Sequence, residues 1–346
     1  MAQQQSQLGQ VGFKTQTAMG TYADPGAAAP NNGVFARVSS GSMGGSRELL
    51  VPDPEIGGTR DQTEASLGPI VFEGDYEMYA RLETLPTLLR GALGASDAPV
   101  DNTTYYTHVI RQADGTQELP WISVEEGIGQ DMLSLRYTDA RVNTFSLEAD
   151  AEGYLMMNAG LAAITSEEGQ PRTDITTAPG NTYVDVSPII VSSEITVTYG
   201  GLSLCAKSFS LEINNNLETD DFCLGKITVD TFTPKRRELT MGLTIRPEDG
   251  DLWKQAMYGS SAATVPGTGQ AFQDSAQVTI ETQALIDGTN PYRMVIDIPV
   301  SSIQPFEVEP SGDDVIETDL EIVALRPDPA VNLIEVSIDN GYDTIR

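Results

Sequence analysis

The 346-residue chain contains one histidine and two cysteines, and these shortages close off most catalytic and metal-binding arrangements. His108 lies in a Tyr- and Thr-rich run with no serine or cysteine motif beside it, so it reads as a structural histidine and not as a general base. Paired histidines and Cys-x-x-Cys are absent, which removes the common zinc spacings. Cys205 and Cys223 cannot form a disulfide framework in so long a chain. They lie symmetrically about Asn214, where a tight hairpin would set them face to face; a cytoplasm favours buried, reduced thiols over a bridge.

Aromatic residues make up only 7% of the chain, too few to suggest the aromatic-lined cleft of a glycosidase, although carboxylates are abundant. Trp121 and Trp253 are read as packing residues. Phosphate-cradling glycine motifs are missing. Ser40-Gly41-Ser42-Met43-Gly44 lacks the first glycine of a nucleophile elbow, and Glu248-Asp249-Gly250-Asp251 lacks the length and distal glutamate of an EF-hand loop. The expectation is no catalytic residue, no metal and no cofactor. No window approaches 18 consecutive apolar residues, and the N-terminus has neither the basic nor the apolar region of a signal peptide, so a non-membrane protein made in a cytoplasm is expected. Basic residues are also scarce: 20 against 50 acids, a formal charge of -30. Such a surface repels nucleic acid instead of binding it.

What is present is β patterning. Phe209, Leu211 and Ile213 alternate with polar neighbours; Ile227 and Val229, then Leu239, Met241, Leu243 and Ile245, repeat that period of two, as half-buried antiparallel strands do. After Pro247 the period changes: Leu252, Trp253, Ala256 and Met257 mark one helical face, with acids at its start and Gly259 at its end. Earlier in the chain, Ile70, Phe72, Gly74, Tyr76 and Met78 mark a strand, and Leu85, Leu88, Leu89 and Ala92 a helix opened by Thr84 and closed by Gly94. Further strands are expected at 105–111, 121–126, 132–137, 144–149 and 154–159, and at 276–283, 292–299, 317–325 and 332–339.

Strand, helix and a Gly-Ser ending therefore occur twice in the same order, and the segment HVIRQADGTQELPWISVEE resembles VTIETQALIDGTNPYRMVID. The expected organisation is a polar N-terminal arm (1–33), a first β domain (34–165), a Pro/Gly/Thr-rich linker (166–182) and a second β domain (183–346). The fold class is mainly β: two tandem antiparallel β-sandwich or partial-barrel domains, each with one short α-helix. Residues 41–66 are expected as a long loop. The candidate core of the two helices is Leu85, Leu88, Leu89, Leu252, Trp253 and Met257.

The glycine-rich loop GSMGGSRELLVPDPEIGGTRDQTEAS, the helix TLPTLLRGALG, and the segments KSFSLEINNNLETDDFCLG and ETDLEIVALRPDPAVNLIEVSIDNG together resemble the tail tube (major tail) proteins of long, non-contractile-tailed bacteriophages. The resemblance covers most of the chain. It implies subunits that form rings around a lumen, rings that stack into a tube, and a virion tail assembled in the host cytoplasm. With two tube domains per chain, trimeric pseudo-hexameric rings are expected, and hexameric rings are the alternative. The resemblance also implies tape-measure, terminator and tail tip proteins as partners, with DNA as a non-specific passenger. It places contact between rings at residues 44–66 (Arg47, Glu48, Leu49, Leu50, Pro52, Asp53, Arg60) and at a shorter second turn, 214–221 (Asn214, Asn215, Asn216, Asp220, Asp221). Other classes weighed are a β-sandwich binding or adhesion module, which calls for an export signal and an aromatic platform, and an acidic hydrolase, which calls for convergent carboxylates in a pocket.

Overall fold

The computed structural model describes residues 9–26, 33–53, 56, 61, 64–115, 117–129, 132–173, 175, 185, 187–267, 269, 271–308 and 315–345. In the first half these form β1 (Gln10–Thr15), β2 (Val34–Ala36), β3 (Val38–Leu50), β4 (Ser66–Tyr79), α1 (Leu85–Leu93), β5 (Gly94–Ser96), β6 (Val100–Asp101), β7 (Tyr106–Gln112), β8 (Ile122–Ile128), β9 (Leu133–Asp150) and β10 (Met156–Glu168). The second half forms β11 (Ile195–Tyr199), β12 (Leu202–Leu204), β13 (Ala206–Asn214), β14 (Leu217–Glu218), β15 (Thr233–Pro234), β16 (Glu238–Ile245), α2 (Asp251–Tyr258), β17 (Asp274–Leu285), β18 (Pro291–Ile303), β19 (Thr318–Ala324) and β20 (Glu335–Asn340). The fold is mainly β and antiparallel, with a helix in each half, and the sheet does not close into a barrel.

Alternation in the sequence becomes the two faces of each strand. In β16, Leu239, Met241, Leu243 and Ile245 are buried while the residues between them are not. The same holds for Phe145, Leu147 and Ala149 in β9. α1 is short but almost wholly enclosed; Pro86 lies in its first turn, and Gly94 ends it at φ 100, a left-handed conformation that suits glycine.

The backbone pairings run in one order through both halves. The first is β2–β1–β8–β9–β10–β4–β3. The second is β12–β11–β17–β18–β19–β16–β13. Two seams join them. β9 is long enough to change partner: its first part lies beside β8, and from Thr144 onward that side is taken by β13. At the other seam β20 lies between β18 and β7.

Several expectations change. Residues 10–15, assigned to an arm, form β1, with Phe13 fully buried between β2 and β8. Residues 41–50, read as loop because they are glycine- and serine-rich, are paired along β4, whose own alternation is regular enough to hold them. The expected strands 132–137 and 144–149 are one strand, because β10 pairs with it along its length. Ile227 and Val229 lie outside any strand. The two similar segments around His108 and Val278 are not equivalent: β17 and β18 are hydrogen-bonded neighbours, whereas β7 pairs with β5, β6 and β20, and β8 with β1 and β9. At the start of α1, Thr84 does not cap with its own side chain; the Asp185 carboxylate accepts from its N–H at 2.8 Å and its hydroxyl at 2.5 Å.

Candidate functional site

In this β protein the surfaces available for assembly are sheet edges, sheet faces and projecting hairpins. β3 and β4 form a long hairpin, paired from Val38 and Met78 out to Leu50 and Ser66. Arg47, Glu48, Leu49 and Leu50 occupy the distal part of β3, and Pro52 and Asp53 follow at the tip; all are exposed. Leu49 is 59% exposed and Ile56 entirely so, an apolar tip of the kind that marks a contact site. Arg60 lies outside the described residues.

The second expected turn is not a short hairpin. β13 and β16 remain paired up to Asn214 and Glu238, and residues 215–237 leave the sheet and fold back over the first half. Leu217, Val229 and Phe232 form a separate apolar cluster there with Leu119, Trp121, Ala162 and Ile164. Arg141, only 2% exposed, fastens it: its guanidinium stacks 3.7 Å from the Trp121 ring and donates to the Phe232 carbonyl at 2.5 Å and to Glu118 at 2.9 Å. Asn215 is 1% exposed and donates to the Ala92 and Val142 carbonyls, both at 3.0 Å, while Arg237 donates to its amide oxygen and to the Leu93 carbonyl. Asn214 is held in the sheet, and Asn216, at φ 48, donates to the Arg236 carbonyl. Asn215 therefore acts inside the subunit, capping the C-terminal end of α1; Asp220 and Asp221 remain exposed. Because residues 215–237 depart from a tight hairpin, Cys205 and Cys223 are not set opposite each other. Both are free and exposed, not buried as expected.

The helices differ in their surroundings. Leu85, Leu88 and Leu89 are buried, as the helical period predicts. In α2 no residue is buried: Leu252 and Trp253 are half-buried and Met257 is 42% exposed. α2 borders an open groove with Phe306, Val308 and Ile316.

One sheet face collects acids. Running through β4, β10, β9, β13, β16 and β19, the pairings align Glu77, Asn158, Ser146, Glu212 and Thr240 in one row. Another row holds Glu148, Ser210, Gly242 and Glu321, and a third Asp150, Ser208, Thr244 and Asp319. Glu73 and Asp75 extend the same face along β4. All of these acids are exposed and the residues named between them are small or polar, while Tyr79 and Met156 complete the Glu148 row and Val323 the Glu212 row.

Buried ionisable groups lie elsewhere, and Glu126 and His108 are held by hydrogen bonds within the subunit. Glu126 accepts from the Met43 N–H at 3.1 Å and the Tyr76 hydroxyl at 3.0 Å, and burial pushes its carboxyl above the ordinary range. His108 bonds through Nε2 to Asn340 and to the Tyr342 carbonyl, and burial lowers its pKa. Among the described residues no group of three or more His, Cys, Asp or Glu side chains could hold a metal ion, and no helix is long and apolar enough to cross a membrane.

A family model described as phage tail tube protein matches residues 6–324. The chain belongs to that family. Among curated proteins, none matches it. As a member of the phage tail tube family the chain is a structural component of the virion tail, built to assemble with itself and with other tail proteins.

Proposed function

We propose that copies of this chain close into rings, that the rings stack into the tail tube, and that the acidic sheet face lines the lumen as a conduit for DNA. The observation that carries this reading is the alignment of Glu73, Asp75, Glu77, Glu148, Asp150, Glu212, Asp319 and Glu321 on one continuous face. A negative wall repels phosphate over roughly a Debye length, about 8 Å at physiological salt, so DNA slides without sticking. Each half acts as one tube domain, 34–165 and 183–346 joined by 166–182, except that β10 carries the first domain's sheet on to Glu168 and β1 is contributed from the preceding segment; the repeated order of strand pairings supports this division. Three copies then make a pseudo-sixfold ring, and six copies are the alternative. The exposed tip of the β3–β4 hairpin, with Leu49, Leu50, Pro52 and Asp53, reaches the adjacent ring, and Asp220 and Asp221 offer a second axial contact. By family resemblance the tape-measure protein occupies the tube, and terminator and tip proteins close its ends.

Negative-stain microscopy of purified protein tests the assembly: rings or tubes about 100 Å wide are expected for six ordinary domains around a channel. A protein that stays monomeric at high concentration overturns the reading, and a tube map whose lumen is dominated by Arg and Lys overturns the assignment of the acidic face.

A further inference from the structure

The seam between the two halves contains a template for a contact the isolated chain leaves open. Val142 pairs with Leu161 in β9 and β10, as Ile303 pairs with Ile322 in β18 and β19. Continuing both strands in step sets Phe145 against Phe306 and Leu147 against Val308, and the next loop sets Leu155 against Ile316. In the first half these three residues are 0% exposed; β13 lies alongside β9 at Phe145 and Leu147, and the Leu155 N–H donates to the Ile190 carbonyl. Their counterparts are open: Phe306 is half-buried, Val308 37% and Ile316 41% exposed, and residues 304–308 belong to no strand although the Gln304 N–H already bonds to the Glu321 carbonyl of β19.

The partner in the template has a counterpart too. β13 stands where β3 stands in the repeated order, with Leu211 on Met241 matching Met43 on Gly74. β13 has strands on both sides, whereas β3 pairs with β4 alone among the described residues. At Met43 the outward backbone is served within the subunit by Glu126 and the Tyr137 hydroxyl. The available edge therefore begins at Gly44.

We infer that residues 304–308 of one copy take the β3 hairpin stem, residues 44–47, of a second copy as an antiparallel neighbour, with Gly45 opposite Phe306 and Gly44 opposite Glu307. The incoming stem covers Phe306 and Val308 and reaches α2, as β13 and Asn215 cover β9 and cap α1. Arg47 of the incoming copy falls at the position of Asn215, a cation at a helix C-terminus, where the dipole favours it. One sheet then continues from copy to copy, and the hairpin is divided: its stem joins neighbours within a ring and its tip reaches beyond. This rests on the ring reading above.

Site-directed cross-linking tests it. In a background of Cys205→Ser and Cys223→Ser, Gly44→Cys combined with Glu307→Cys is oxidised after assembly, with ring formation followed by microscopy. Rings whose monomer band gives way to covalent multimers are expected, while Gly44→Cys with Ser302→Cys stays unlinked. A second variant, Val308→Asp, at a side chain 37% exposed, is expected to keep the monomer's circular dichroism and melting temperature and to lose ring formation. Rings without the Gly44–Glu307 link, or rings of the aspartate variant, overturn this docking and leave the tube reading intact. A wild-type chain that forms no rings overturns both.

Discussion

Arg141 and Asn215 show how single buried polar side chains hold the two halves together. Arg141→Ala removes a stacked guanidinium and leaves the Phe232 carbonyl without its donor, so a loss of about 2–3 kcal/mol is expected. Proteolysis should then cut within residues 215–237 well before the rest of the chain; an unchanged cleavage pattern argues against the anchoring role. Asn215→Ala strands the Ala92 and Val142 carbonyls together with the Arg237 donor, at a similar cost of about 2–3 kcal/mol in denaturant unfolding. His108 makes stability depend on pH. Its folded pKa lies below the ordinary value of 6.5, so the unfolded chain takes up the proton first as pH falls. The contribution is present above about 6.5 and is lost as pH drops through the folded pKa. His108→Gln should flatten the urea midpoint between pH 7 and pH 5 relative to wild type, and equal slopes would remove His108 from the account.

The two helices share a sequence pattern and differ in burial. α1 was legible in the sequence because its leucine stripe, Pro86 and Gly94 agree with its place in the core. α2 has the same apolar spacing and a Gly259 end at φ 80, yet the single chain leaves its face open. Leu88→Ala should cost about 2–5 kcal/mol in the monomer through the cavity it creates. Trp253→Ala should cost the monomer less than Leu88→Ala and weaken assembly more, measured as melting temperature against the concentration needed for tubes. If both variants melt alike and assemble alike, α2 is no contact element. Strand β3 shows the opposite failure. Its glycine and serine content conceals it from any propensity scale, and the pairing with β4 alone decides its conformation.

For the whole molecule, charge matters more than any single contact. Fifty acids against twenty bases leave a net repulsion between copies, and the registers concentrate part of that charge on one face. Replacing Glu77, Glu148 and Glu212 each by Lys should leave the fold intact, since all three are exposed. Tubes built from that variant should retain DNA in a low-salt binding assay where wild-type tubes release it. Equal retention by both would place the acidic face away from the lumen.

The sequence by itself determined the β class, the two helical stretches, the family and the absence of catalytic spacing, because period, capping residues and residue scarcity are local properties. It also revealed a repeat, through the order of strand and helix. Only the tertiary structure decided where that repeat joins: that β9 exchanges β8 for β13, that residues 215–237 are spent on packing against Trp121, and that β1 belongs to the sheet. These depend on pairings between residues far apart in the chain. A period of two specifies which side chains face inward, and it carries no information about which strand lies alongside.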